Sequence, residues 1–260
     1  MNHPFELLVV SHGSSVDPES YRPLVALVDQ MRRSGLVDGA QVGFLKQSPT
    51  LAQGWEKIRG SSVVVLPYLA SAGFFAQRIL PEKLGFPHVE FDVPFEFQGR
   101  TVVYTRPIGT HGAVIDVVEQ AALEIADGAT GPEADQTTLV VVGHGTPRHR
   151  ASGQSVRECV AELQRRGRFA HVLDAFVDEE PFVDGVLERC PTGDVVVLPY
   201  FVCDGPHVRE DIPQGLGIGR DLWGAPHQVG GHRVWYGRAV LARDEMAAVV
   251  ESQLSELRSE

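Results

Sequence analysis

Cysteine is scarce in this chain: Cys159, Cys190 and Cys203 are the only three among 260 residues. Thiols that few and that scattered exclude a zinc knot or an iron–sulfur binding run, which need clustered thiolates. A disulfide framework is not expected either, and a reducing, cytoplasmic setting fits best. Positive charge is also in short supply. Lys and Arg number 23 against 34 Asp and Glu, for a net charge of −11. Nonspecific binding to nucleic acid or to an anionic membrane surface is therefore not expected. No apolar run reaches the ~20 residues of a membrane-spanning helix; the longest, Val63 to Ala76, is interrupted by Pro67 and Gly73. The opening MNHPFELLVV lacks a basic segment ahead of its apolar one, so no secretory signal is expected. There is no Gly-x-Ser-x-Gly elbow after a strand, which argues against a serine hydrolase.

What is present is written twice. His12 and His144 each end an apolar run and precede Gly, in LLVVSHG and LVVVGHG, 132 residues apart. VVVLPY begins at Val63 and again at Val195, at the same offset. Gly73 and Gly205, Pro49 and Pro181, Leu84-Gly85 and Leu216-Gly217, and Tyr104 and Tyr236 keep it too. One ungapped offset over most of a half means two homologous lobes. They are expected at residues 1–128 and 136–260, joined by the polar stretch DGATGPEADQ.

Each lobe alternates short valine-rich runs with helical segments, the pattern of an α/β fold. Continuous apolar runs suit parallel strands buried on both faces. Two tandem lobes are expected, each a small parallel sheet with helices on both faces, with a cleft between them. Ligands of such sheets bind beyond the carboxyl ends of the strands, where His12, His144 and the loops after Leu-Pro-Tyr fall.

Comparing the lobes with one another separates scaffold from chemistry. LPYLASAGFFAQRILPEKLG (66–85) and LPYFVCDGPHVREDIPQGLG (198–217) share Leu-Pro-Tyr, Gly, Pro and Leu-Gly. Phe75, however, stands where the second lobe has His207, Arg78 where it has Glu210, and Ile79 where it has Asp211. Likewise Lys46, Gln47 and Ser48 replace Asp178, Glu179 and Glu180. The second lobe thus gathers imidazoles and carboxylates, which are ligands for Co²⁺, Fe²⁺, Ni²⁺ or Zn²⁺. If 207–211 is helical, His207, Glu210 and Asp211 share a face. Asp211, just ahead of Ile-Pro, also reads as a helix cap. The first lobe keeps His12 alone, and Phe75 there could floor a flat aromatic ligand.

The stretches VVVGHGTPRHRAS (140–152), DAFVDEEP (174–181) and VVVLPYFVCDGPHVREDIPQGLG (195–217) resemble the class II tetrapyrrole chelatases, most closely the sirohydrochlorin cobaltochelatase/ferrochelatase family. LVVSHGSS and VVVLPYLASAG echo them, so the resemblance runs through nearly the whole chain. It implies flavodoxin-like lobes and a divalent metal (Co²⁺, Fe²⁺ or Ni²⁺) held as substrate by His144 and His207. An acid from Asp178, Glu179 and Glu180 would assist; the spacing does not separate them, and Glu180 stands as the candidate ligand. Glu210 is a further catalytic candidate, an alternative to these acids in supplementing the charge, and a nearby histidine or carboxylate would take the pyrrole protons. A tetrapyrrole would meet His12, Phe75, Arg148 and Arg209, with Arg78, Arg150 and Arg220 as further cations for its carboxylates. No organic cofactor, nucleic acid or membrane is implied, and a monomer or homodimer is expected. A porphyrin ferrochelatase and a non-catalytic metal- or tetrapyrrole-binding protein are the alternatives.

Overall fold

The computed structural model describes residues 5–128, 130–219 and 222–259. Each copy of the repeat builds one five-stranded sheet. In the first, β1 (Glu6–Ser11), β2 (Gly39–Phe44), β3 (Ser62–Pro67) and β5 (Arg100–Tyr104) lie in the order β2-β1-β3-β5 and are parallel. β4 (Pro94–Phe97) adds an antiparallel edge beside β5. The second sheet repeats this order as β7-β6-β8-β10-β9. Its strands are β6 (Thr137–Gly143), β7 (His171–Phe176), β8 (Asp194–Pro199), β9 (His227–Val229) and β10 (His232–Tyr236). The sheets are thus not wholly parallel. PFEF alternates exposed and half-buried residues and starts with a proline, and both features suit an edge strand.

The centre of each sheet follows from the valine runs. β1 and β6 are flanked by parallel partners on both sides, and Leu7 to Val10 and Leu139 to Val142 are fully buried. The helices show one apolar stripe each. In α1 (Arg22–Arg33) the buried residues are Leu24, Leu27, Val28 and Met31, spaced for a single face. α2 (Leu51–Glu56) starts at a capping box between Thr50 and Gln53. Its counterpart around 182–190 is only a short 3₁₀ turn, Val186–Arg189, where a helix is expected from the repeat.

The closing helices depart from the sequence repeat. α4 (Val114–Ala126) ends the first copy but packs on β8 and on α5 (Gln154–Arg166), while α7 (Met246–Ser259) ends the second copy and packs on α1. The compact units are therefore the chain up to Ala113 together with the part from Arg243 onward, and Val114–Ala242. The expected division into 1–128 and 136–260 describes the repeats, whereas the folded bodies exchange their last helix. Periodicity reveals that a helix is amphipathic, not which sheet its apolar stripe covers.

Candidate metal centre

The His-Gly turns come first in each unit. β6 ends at Gly143 and the chain turns at Gly145, with φ 67°. A side chain is disfavoured in that conformation, and a Cβ on Gly145 would stand 2.9 Å from Glu179 Cδ. The turn aims the Thr146 N–H at Glu179 Oε2, 2.6 Å away. The other carboxylate oxygen accepts from Arg157, whose guanidinium lies 4.6 Å above the Phe176 ring. Backbone joins the two strand ends as well: Asp178 N donates to His144 O at 2.9 Å. The first unit repeats the device without the charge. Gly13 has φ 71°, and Ser14 N donates to Gln47 Oε1 at 2.7 Å.

The second histidine sits on an unusual turn. Residues His207–Asp211 form a π-helical stretch that runs into α6 (Ile212–Leu216), and Phe75–Ile79 does the same before α3 (Leu80–Leu84). Each is followed by a proline at the second position of the helix, Pro213 or Pro81. Proline has no N–H, and in an α-helix its ring collides with the carbonyl four residues back. Winding the preceding turn wider relieves that collision. The turn is buttressed from below: Tyr236 Oη donates to Val208 O at 2.6 Å, and Tyr104 Oη to Ala76 O at 2.8 Å. Burial pushes both phenols above the ordinary tyrosine range, so they remain donors.

These elements bring His144 and His207 together. Their ring centroids are 4.7 Å apart and the rings are nearly perpendicular, at 84°. A metal ~2.1 Å from each nitrogen, at an angle between square and tetrahedral, needs ring centres about 4.5–5.2 Å apart. Nδ1 of His144 is 2.8 Å from Gly145 O, and Nδ1 of His207 is 2.5 Å from Asp211 Oδ2. A carbonyl oxygen only accepts, so His144 carries its proton on Nδ1. An ionised Asp211 assigns the same tautomer to His207. The Nε2 lone pairs then have no partner among the described residues. Phe201 closes one side, 5.9 Å from His207 and 6.4 Å from His144 between centroids.

The acids are sorted differently from the expectation. Glu179 is used up beneath the His-Gly turn, and Glu180 is exposed with no ion pair to another described residue. The acid beside His144 is Asp178, with Oδ2 3.6 Å from Nδ1. The backbone bond from Asp178 N to His144 O holds residue 178, not 180, abreast of that imidazole. The side chain of Glu210 forms no hydrogen bond or ion pair with another described residue and is exposed. Asp211, four along, reaches the imidazole instead and makes no side-chain cap. No cluster of three or more His, Cys, Asp or Glu arranged to hold a metal occurs among the described residues. The site is two imidazoles and open positions. Burial pushes the Cys159 and Cys190 thiols up to about 12 and about 11, so neither offers a thiolate.

The first unit shows the loss of this arrangement. His12 keeps the same Nδ1 contact, 2.8 Å from Gly13 O, but faces the Phe75 ring at 5.1 Å between centroids. Arg78 pairs with Glu82 at 2.7 Å. Arg148 and Arg209 are exposed and form no ion pair with another described residue. Arg220 and the side chain of Arg150 lie outside the described part. Phe201 lies in a stretch that carries the resemblance but has no role assigned there, and Arg157 escapes a reading of motifs. The 132-residue offset does mark them, since Leu69 and Val25 stand at the matching places.

The model of the CbiX family matches residues 6–125 and again 138–257. A Halobacterium salinarum protein named as a probable sirohydrochlorin cobaltochelatase is 33% identical over 262 residues, which cover 94% of this chain and 88% of that one. Among solved structures, a multi-domain Deinococcus radiodurans protein with structural similarity to chelatases superposes with a TM-score of 0.78 at 24% identity. The match covers 97% of this chain but only 55% of that one, so this chain spans about half its length. The sirohydrochlorin chelatase SirB of Bacillus subtilis subspecies spizizenii, solved with cobalt, gives a TM-score of 0.70 at 17% identity, covering 99% and 96% of the two chains. At these identities the structures speak to the fold alone. No helix among the described residues is long and apolar enough to cross a membrane.

Proposed function

This chain belongs to the CbiX family, and on that premise we propose that it inserts a divalent metal, cobalt or iron, into sirohydrochlorin. The observation that carries the reading is the imidazole pair of His144 and His207, 4.7 Å apart at the carboxyl ends of β6 and β8. β6 and β8 flank the point where the strand order reverses, the usual ligand position in such sheets. The metal is substrate, and it binds through the two Nε2 atoms. Only two protein donors are arranged for it, which leaves positions for the pyrrole nitrogens and makes release possible.

Insertion exchanges one dication for two pyrrole N–H protons, so the protein must accept protons where the ring meets the metal. Asp178 and Glu210 are exposed carboxylates on the same two loops, and we assign them that task rather than ligation. On this reading Glu180 is not a ligand. Arg148 and Arg209, which form no ion pair with another described residue, offer bidentate contacts to the acidic side chains of the tetrapyrrole. Phe201 supplies an apolar, planar wall next to the imidazoles. On the first unit, Phe75 occupies the second ligand's place, and His12 alone is one donor short of a comparable site.

The test is spectral. Metal insertion into sirohydrochlorin is expected to fall at least about 100-fold in both His144→Ala and His207→Ala, beyond what loss of a supporting residue costs. Wild-type rates in both variants refute the assignment.

A further inference from the structure

The reading of His144 and His207 as the metal-holding pair leaves one question: what keeps an exposed, solvent-facing imidazole presenting the correct nitrogen. His144 has its answer in the backbone, because Gly145 O fixes its tautomer. His207 has no such carbonyl among its described contacts. Its ring is 44% exposed, and neutral imidazole in water divides its proton between the two nitrogens. The contact that breaks this tie is Asp211 Oδ2, 2.5 Å from Nδ1.

Resting on that reading, we propose that Asp211 is a positioning residue, which binds Nδ1–H of His207 and thereby holds the Nε2 lone pair toward His144.

Three observations converge on it. Across the π-helical stretch Asp211, four residues along, meets the His207 ring, as residues four apart do on a helix. Pro213 enforces that winding, so the sequence Asp-Ile-Pro builds the support for His207 as well as the helix start. The counterpart pair in the first unit is Phe75 and Ile79. Imidazole and carboxylate are there replaced together by two apolar side chains, while the π turn, its proline and its tyrosine buttress all remain. A residue needed for the turn itself would have stayed with the turn. A carboxylate behind a metal-binding imidazole also makes the ring a better donor, and losing such a partner typically costs 10–100-fold in metal affinity.

A variant with no acceptor separates this role from a structural one. Leu fits nearly the same space but cannot accept from Nδ1–H, so the proton is free to move to Nε2, where it blocks the metal. In Asp211→Leu, nitrogen-15 spectra of the metal-free protein are expected to show His207 moving from the Nδ1–H toward the Nε2–H tautomer. Titration with Co²⁺ alone is expected to give affinity weakened about 10–100-fold, with Asp211→Glu recovering part of it. An unchanged tautomer in Asp211→Leu overturns the proposal, and so does a changed tautomer with wild-type affinity. His144→Ala and His207→Ala in the same titration keep the two readings apart. If both bind Co²⁺ normally, the metal site itself is misassigned. If both fail while Asp211→Leu binds as the wild type does, only the role of Asp211 falls.

Discussion

At the scale of single residues, chemistry and scaffold separate cleanly because the chain carries its own control. Gly13 and Gly145 do the same backbone work, each turning the chain after a strand with φ near 70°. A Cβ would meet Gln47 or Glu179 respectively. Gly13→Ala and Gly145→Ala are therefore expected to lose similar stability in chemical denaturation, about 1–3 kcal/mol from strain and overlap. Only Gly145→Ala should also weaken Co²⁺ binding, because on the proposed reading only that turn aims a metal ligand. That His207 would stand apart from the first unit was legible in the sequence, where it faces Phe75 at a fixed offset, and the structure sets its ring beside His144. The acids were not legible in that way. Asp178, Glu179 and Glu180 are adjacent, and which one reaches the imidazole is decided by a backbone hydrogen bond and by the clamp on Thr146. Asp211 carried two readings, a cap ahead of Ile-Pro and a place on one face with His207, and the structure shows the second contact and no side-chain cap.

At the scale of elements, the notable feature is where α4 and α7 dock. Arg166, near the end of α5, joins Asp116 and Glu119 of α4 at 2.7 and 3.0 Å and Glu162 of its own helix at 3.1 Å. Arg165 touches Glu162 alone. Exposed pairs contribute little, but a partly buried fork across two helices is worth about 1 kcal/mol. Arg166→Gln is thus expected to speed hydrogen exchange of the α4 amides roughly fivefold, and Arg165→Gln to leave them unchanged. Equal effects would mean that the apolar stripe of α4 alone carries the docking. Acid probes the same network. Hydrogen bonds from Arg165 and then Arg166 hold the Glu162 carboxyl down at about 2, below its ordinary 4.5. A depressed carboxylate contributes above its unfolded value and ceases to as pH falls through the folded one. The contribution of Glu162 should therefore be intact above about pH 4.5 and fade toward pH 2, less so in high salt. Strands, helices and their order could be read from valine runs and apolar periods. The antiparallel edges β4 and β9 could not, being short and half exposed, and neither could the exchange of helices, which local patterning does not encode.

At the scale of the molecule, two copies of one fold have kept a common frame and divided its chemistry. Sheet order, the π turns, the tyrosine buttresses and the His-Gly turns recur in both. The second imidazole, its supporting Asp211, the acid at 178 and the charged clamp occur in one only. That asymmetry is the central claim, and counting metal ions tests it directly. Equilibrium dialysis of the full chain against Co²⁺ is expected to give one ion per chain, lost in His144→Ala and in His207→Ala and kept in His12→Ala. Two ions per chain, or one that survives both of the first two substitutions, would contradict the account.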